Sequence, residues 1–207
     1  MIFYVFAIIV AYLLGSIPMG LLFTKLMGKD DLRKVGSGNI GATNVMRVGG
    51  LRMAGLVWIL DMLKAIVAVW IGWSIAGVAF GAWCGFVAIV GHCYPVWLKF
   101  HGGKGISSLF GVLLAVSPVS FLVCGIEWLL VALTSGISSL GAVIVFCLIP
   151  VLGFAISCSV GWPFLCIGLL CMWRHRANIS RLVSGTESKI EWKCRQPVPR
   201  ISQHPAR

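Results

Sequence analysis

Residues 2–24 read IFYVFAIIVAYLLGSIPMGLLFT and are followed at once by Lys25. No charge interrupts the run. A helix rises ~1.5 Å per residue, so about 20 apolar residues cross a hydrocarbon core of about 30 Å. The stretch is therefore expected to be one membrane span ending at Lys25. No basic residue precedes it and no A-x-A site follows it, so it reads as a retained span rather than a cleaved signal peptide.

The rest of the chain agrees with that start. Of 207 residues, 59% are hydrophobic and 11% charged. A soluble domain carries about 45–50% apolar and about 25% charged residues. That much apolar surface cannot be hidden in a soluble fold of this size, and disorder is excluded by the same numbers. The expected class is an all-α integral membrane protein, a single domain over residues 1–187.

The net charge of +11 is clustered. Lys25, Lys29, Arg33, Lys34, Arg47 and Arg52 form one group, Lys99 and Lys104 a second. Arg174, Arg176, Arg181, Lys189, Lys193, Arg195, Arg200 and Arg207 form the third. Short loops rich in Lys and Arg mark the cytoplasmic side. Parity then counts the spans. Residues 2–24 enter from outside. Residues 53–98 must leave and return, as spans near 53–73 and 79–98, with Gly72, Ser74 and Gly77 at the turn. Residues 105–173 fit four spans, with turns at Ser117-Pro118, Thr134-Ser135-Gly136 and Gly153 to Ser159. The sum is seven transmembrane helices, N-terminus outside and C-terminus cytoplasmic. The turn at 134–136 is expected on the cytoplasmic side although it carries no charge. Gly15, Gly55, Gly81, Gly85 and Gly111 are candidates for close helix contact. Residues 188–207, polar and holding Pro197, Pro199 and Pro205, are expected to be a disordered tail.

Eight cysteines are scattered, seven of them in apolar runs, with no C-x-x-C and no zinc spacing. They are expected to act as small hydrophobes, and no metal site is expected.

Chemistry concentrates in three motif loops, 25–52, 99–105 and 174–187. The first contains Gly36-Ser37-Gly38-Asn39-Ile40-Gly41-Ala42-Thr43-Asn44, then Arg47. It matches G-x-G-x-x-G, but a dinucleotide fold needs a βαβ unit that two membrane helices cannot supply. What remains is a Gly-rich loop whose backbone N–H groups could converge on an anion, with Ser, Thr and Asn donors and the Arg47 fork. The second, Lys99-Phe100-His101-Gly102-Gly103-Lys104-Gly105, frames a lysine with three glycines and opens a helix at Gly105. It is not a Walker loop. The third places Arg174, Asn178 and Arg181 on one helical face at i, i+4 and i+7. His92 shares a helix face with Lys99 and is either a packing residue, a base or a phosphate donor. Asp61 and Lys64, three apart, are expected to form a structural ion pair tying the first loop to the bundle. Glu127 is a further intramembrane charge with no partner visible in sequence.

At these residues the chain resembles the bacterial acyl-phosphate-dependent glycerol-3-phosphate acyltransferases, the PlsY family. Gly15-Ser16-Ile17-Pro18 leading to Gly36–Arg47, Gly91-His92-x-x-Pro95 through Gly105, and Arg174-His175-x-x-Asn178-Ile179-x-Arg181 through Glu187 look like its three cytoplasmic motifs. Two departures stand out. The family's D-x-x-K-G becomes Asp61-Met62-Leu63-Lys64-Ala65, and Ser107-Ser108 replace small residues with a Thr. The resemblance implies transfer of a fatty acyl group from acyl phosphate to the primary hydroxyl of glycerol 3-phosphate, giving lysophosphatidic acid and inorganic phosphate. It implies Ser37, Arg47, His92, Lys104 and Asn178 as catalytic. Gly36, Gly38, Asn39, Thr43, Asn44, Gly102, Gly103, Gly105, His175 and Glu187 would bind substrate.

The expected setting is the bacterial inner membrane, with the site on its cytoplasmic face and no cofactor or nucleic-acid partner. The enzyme that forms acyl phosphate is an expected partner. The alternative is an organic-phosphate transporter. Transporter sites sit near the midplane on broken helices in paired repeats. Here the Gly and basic elements lie at the rim, and seven spans do not halve.

Overall fold

The computed structural model describes residues 1–190, and these form an all-helical bundle with no strand among them. The helices are α1 (Ile2–Ser16), α2 (Met19–Leu26), α3 (Ala42–Cys93), α4 (Ile106–Val116), α5 (Pro118–Ser135), α6 (Ser138–Ile156), α7 (Cys158–Arg174) and α8 (Arg176–Val183). Single 3₁₀ turns sit at Leu32–Lys34 and Val96–Leu98.

The first apolar run is bent. α1 and α2 meet at 42°. Pro18 has no N–H to give and pushes Ile17 to an extended conformation, φ −63° and ψ 116°. The expected unbroken span is thus two pieces, and at the bend the carbonyl of Ile17 accepts from Lys64 Nζ as well as from the Met19 N–H.

α3 is broken twice, at Gly50 and at Ala76–Gly77. The second break lies inside the expected turn. The arms 51–75 and 78–93 then run back along each other. A Cβ on Gly72 would lie 3.0 Å from the Cα of Gly81, and Cys84 packs beside it. The helix stops at Cys93, five residues short of the boundary read from sequence, because Tyr94 precedes Pro95 and is held out of the helical region. α3, α5 and α6 are long and apolar enough to cross a bilayer, and bent α1–α2 together also qualify. α7 is shorter, and α4 has only 11 residues, about 16 Å at 1.5 Å per residue.

The later turns fall where Ser, Pro and Gly placed them. Ser117 caps α5 through its Oγ with Pro118 in the first turn, Gly136 ends α5 in the left-handed region, and Ser157 caps α7. The turn at Gly136 accepts a hydrogen bond from the N–H of Ile190 at 2.7 Å. That contact puts the uncharged turn at the same end of the bundle as the C-terminal motif. Residues 188–190, expected in the tail, therefore pack on the bundle, and 191–207 lie outside the described residues.

The main core runs through both arms of α3 and α4–α7, around Val69, Ile89, Leu113, Phe146, Ile149 and Phe164. Gly15, Gly91 and Gly111 allow backbone contact, since a Cβ on each would lie 2.0, 2.3 and 2.3 Å from the carbonyls of Ala88, Tyr12 and Met62. Gly81 and Gly85 are close-packed too, whereas Gly55 has nothing near it. Of the cysteines, Cys84, Cys93, Cys124 and Cys171 are buried as expected, while Cys147 and Cys158 are exposed. Both carboxylate oxygens of Glu127 are shielded and unpartnered.

Candidate active site

The first loop is built by a buried hydrogen-bonding hub. Asn44, 1% exposed in the first turn of α3, donates through Nδ2 to the carbonyls of Leu32 at 2.9 Å and Val35 at 3.0 Å. Its Oδ1 accepts from the N–H of Ser37 at 3.2 Å. Leu32, fully buried, pins the loop on Val45, Met53 and Val57. Gly36 has φ +59°, and a Cβ there would lie 2.4 Å from Asn44 Oδ1, so only glycine fits. This hub, not an ion pair, ties the first loop to the bundle.

The second loop folds inward. The N–H of Gly102 donates to Cys93 O at 3.1 Å and that of Gly103 to His92 O at 3.0 Å. Arg174 donates through Nε to Gly103 O at 3.1 Å and through its terminal nitrogen to Gly102 O at 2.9 Å. The amides of Gly102 and Gly103 are thus spent inside the protein, as are those of Ser37 and Gly38, the latter on Val35 O. These four amides therefore point to protein carbonyl and amide oxygens rather than into open space. The absent side chains of Gly102 and Gly103 instead let backbone lie on His92: a Cβ on Gly103 would sit 2.1 Å from Nε2. Gly105, φ +92°, then starts α4.

What faces open space is cationic. A pocket of about 480 Å³ is lined by Gly36, Ser37 and Arg47 of the first motif, Lys104 of the second, and Ala177 and Arg181 of the third, with Ser188 at the rim. Arg47 reaches Ser188 Oγ at 3.4 Å. Gly38, Asn39 and Thr43 are not on its wall. His92, Gly102, Gly103, Gly105, His175, Asn178 and Glu187 stand behind it.

A network orients the lysine. Lys104 Nζ donates to Asn178 Oδ1 at 2.6 Å, and Asn178 Nδ2 donates to Glu187 Oε1 at 2.6 Å. Ser139 Oγ donates to the same oxygen at 2.9 Å, and Arg181 Nε to Oε2 at 2.7 Å. Burial works to raise the Glu187 pKa, but the hydrogen bonds from Asn178, Arg181 and Ser139 outweigh it and hold the group ionised below its ordinary value. Burial first, then the Arg181 charge, lowers the Lys104 pKa, while Glu187 opposes both. His175, 4% exposed, holds Nδ1 2.9 Å from Cys171 O and packs against Phe146, and burial lowers its pKa to about 4.

A second polar cluster lies inside the bundle. Lys64 Nζ is 2.7 Å from Asp61 Oδ1, 3.0 Å from His92 Nδ1 and 2.9 Å from Ile17 O. The ion pair expected from sequence exists, and its partner is the α1–α2 bend rather than the first loop. His92 holds Nδ1 in this cluster, 3.0 Å from Lys64 Nζ and 3.5 Å from Asp61 Oδ1, while its Nε2 edge packs beside Gly103.

Sequence reasoning placed Arg181 on a helical face and in the third motif without giving it a site role, and it passed over Ser139 and Ser188. Arg181 was reachable from its motif. A lone Ser in an apolar helix and a Ser after the last motif gave no signal.

A helical membrane bundle that brings Arg47, Lys104 and Arg181 from three motifs to one open pocket has the build of a membrane protein that handles a phosphate ester. A family model described as "Glycerol-3-phosphate acyltransferase" matches residues 5–185. A glycerol-3-phosphate acyltransferase of Sinorhizobium medicae is 47% identical over 184 residues, covering 88% of this chain and 90% of that protein. One from Rhizobium etli is 44% identical over 185 residues, covering 89% and 90%. The crystal structure of PlsY, an integral membrane glycerol 3-phosphate acyltransferase in its glycerol 3-phosphate form, matches with a TM-score of 0.86 and 38% identity, covering 91% of this chain and 96% of that one. Its lysophosphatidic acid form matches at 0.84 and 37%, covering 90% and 94%. The chain belongs to the glycerol-3-phosphate acyltransferase family, and it is an integral membrane acyltransferase of phospholipid synthesis.

Proposed function

We propose that this enzyme transfers a fatty acyl group from acyl phosphate to the 1-hydroxyl of glycerol 3-phosphate. The hydroxyl oxygen bonds to the acyl carbon, the acyl–phosphate C–O bond breaks, and lysophosphatidic acid and inorganic phosphate leave. The observation that carries this reading is the pocket uniting Arg47, Lys104 and Arg181 from three separate motifs. Both substrates bear phosphate, and the mixed anhydride is already activated. The demand on the protein is positioning and stabilisation of developing negative charge, which fixed cations supply. The two solved relatives are a glycerol 3-phosphate form and a lysophosphatidic acid form of PlsY.

His92 turns Nδ1 to Lys64 and Asp61 and is not on the pocket wall, so the hydroxyl proton passes to the departing phosphate. Ser37, on the wall, is placed to hydrogen-bond a substrate phosphate oxygen. No histidine has an acid five residues on: Trp97, Ile106 and Ser180 follow His92, His101 and His175. The H-x-x-x-x-D pair that serves thioester donors is therefore missing.

The bundle sits in the bacterial inner membrane with seven crossings: α1–α2, both arms of α3, and α4 to α7. The short α4 is accommodated because its entry loop folds into the protein, where irregular backbone is tolerated. The N-terminus lies outside and the pocket faces the cytoplasm, where the enzyme that forms acyl phosphate can deliver its product. Cysteines at positions 38, 103 and 136 are expected to react with an impermeant reagent only once the cytoplasmic face is opened.

The donor is tested with purified protein, glycerol 3-phosphate, and either palmitoyl phosphate or palmitoyl-CoA. Lysophosphatidic acid is expected from the phosphate and little from the thioester. Equal turnover of the thioester would overturn the assignment.

A further inference from the structure

We propose that Ser139 is a positioning residue for the Lys104 ammonium, acting through Glu187 and Asn178; this rests on the acyl-transfer reading above. Lys104, the only half-buried cation on the pocket wall that comes from the glycine loop, holds its Nζ 2.6 Å from Asn178 Oδ1. That contact needs the Asn178 amide turned with its oxygen toward the lysine. The turn is fixed because Nδ2 donates to Glu187 Oε1. The carboxylate in its turn must be held, and its side chain is only 5% exposed.

Arg181, Asn178 and Glu187 all belong to one short stretch around α8. Their mutual bonds form a clip that could shift as a unit. The side-chain bond joining this clip to the long helices is Ser139 Oγ to Glu187 Oε1, 2.9 Å. Ser139 is buried at the second position of α6. The carboxylate therefore sits at the positive end of a helix dipole as well as on a hydroxyl donor. α6 carries no charged residue of its own, so Ser139 supplies its one polar link to the clip. Removing the hydroxyl unties the clip from α6 and lets the carboxylate, the amide and the ammonium shift together, and small misplacements of a group at the reacting centre cost large factors in rate.

The test uses the whole purified chain with Ser139→Ala and Ser139→Thr, alone and with Asn178→Ala. Ser139→Ala is expected to lower kcat about tenfold with KM within about twofold, and Ser139→Thr to stay near wild type. In the Asn178→Ala background, Ser139→Ala is expected to add less than about twofold, because the relay is already cut. Independently of turnover, the rate of Lys104 acetylation by a water-soluble amine reagent, read by peptide mass, is expected to rise several-fold in Ser139→Ala. Unchanged kcat and labelling in Ser139→Ala, or a full tenfold loss on top of Asn178→Ala, would overturn the inference. If wild type itself fails to turn over, the acyl-transfer reading fails, while the labelling still decides the role of Ser139. Should Ser139→Ala not fold, Ser139→Cys, a weaker donor of similar size, is expected to show an intermediate kcat and raised labelling; wild-type values for both would contradict the role.

Discussion

Asp61, Lys64 and His92 are closed in among helices, each within 3.5 Å of another member of the cluster. Lys104, Arg47 and Arg181 border an open pocket. Both groups carry charge at sites the sequence singled out, yet they are built in opposite ways. The inner cluster balances Lys64 with Asp61 and with the Ile17 carbonyl at the Pro18 bend. The outer group holds more positive than negative charge, with Glu187 alone against three cations. An excess of fixed cations facing solvent is a place for an anion. A balanced, buried set is a place where helices are fastened.

Breaking the inner cluster is expected to have the largest effect, and on stability. Asp61→Ala leaves the Lys64 charge without its counter-ion, a loss on the order of 3–5 kcal/mol. A drop in thermal midpoint and yield, measured in detergent, is the expected result, with residual activity per folded molecule. An Asp61→Ala protein as stable as wild type would erase the distinction between the clusters.

Arg47→Ala acts on the other side of the comparison. It removes a charge-assisted phosphate contact, about 2–4 kcal/mol in transition-state stabilisation, while its exposed position leaves the thermal midpoint unchanged. Steady-state turnover beside a melting curve checks both halves.

Gly103→Ala probes the seam between the clusters. The added methyl meets His92 Nε2 and must displace either the ring or the second loop. A cost of about 1–3 kcal/mol is expected, with falls in both activity and stability because the substitution touches both groups.

The smallest effect is a pH dependence at His175. Its pKa is lowered from 6.5 to about 4 by burial. The unfolded chain therefore binds the proton first, and stability is full above about pH 6.5 and declines as pH falls toward 4. His175→Phe is expected to flatten the thermal midpoint over that window relative to wild type.

Much of this was legible in the sequence. Charge clustering and the Ser117-Pro118, Gly136 and Ser157 signals located the ends of helices, because capping and proline chemistry are local. The bend at Pro18 and the stop before Pro95 follow from the same chemistry, yet apolar content alone carried the spans through both. Of the glycines in the two loops, Gly38, Gly102 and Gly103 spend their amides inside the protein, whereas Gly36 lines the pocket. A sequence shows that a Cβ is absent; it does not show whether that space admits an anion or a packed histidine. Asn44 looked like a substrate donor and spends its amide on Leu32, Val35 and Ser37. Ser139 gave no sign at all, since its role depends on α6 meeting a residue 48 positions away.

The central claim, that the open cationic pocket performs the chemistry, is tested most directly at Lys104. The measurement is lysophosphatidic acid formed from palmitoyl phosphate and glycerol 3-phosphate by purified Lys104→Ala, normalised to folded protein. The account predicts a rate at least about a hundredfold below wild type at an unchanged thermal midpoint. A folded Lys104→Ala protein turning over near the wild-type rate would contradict it.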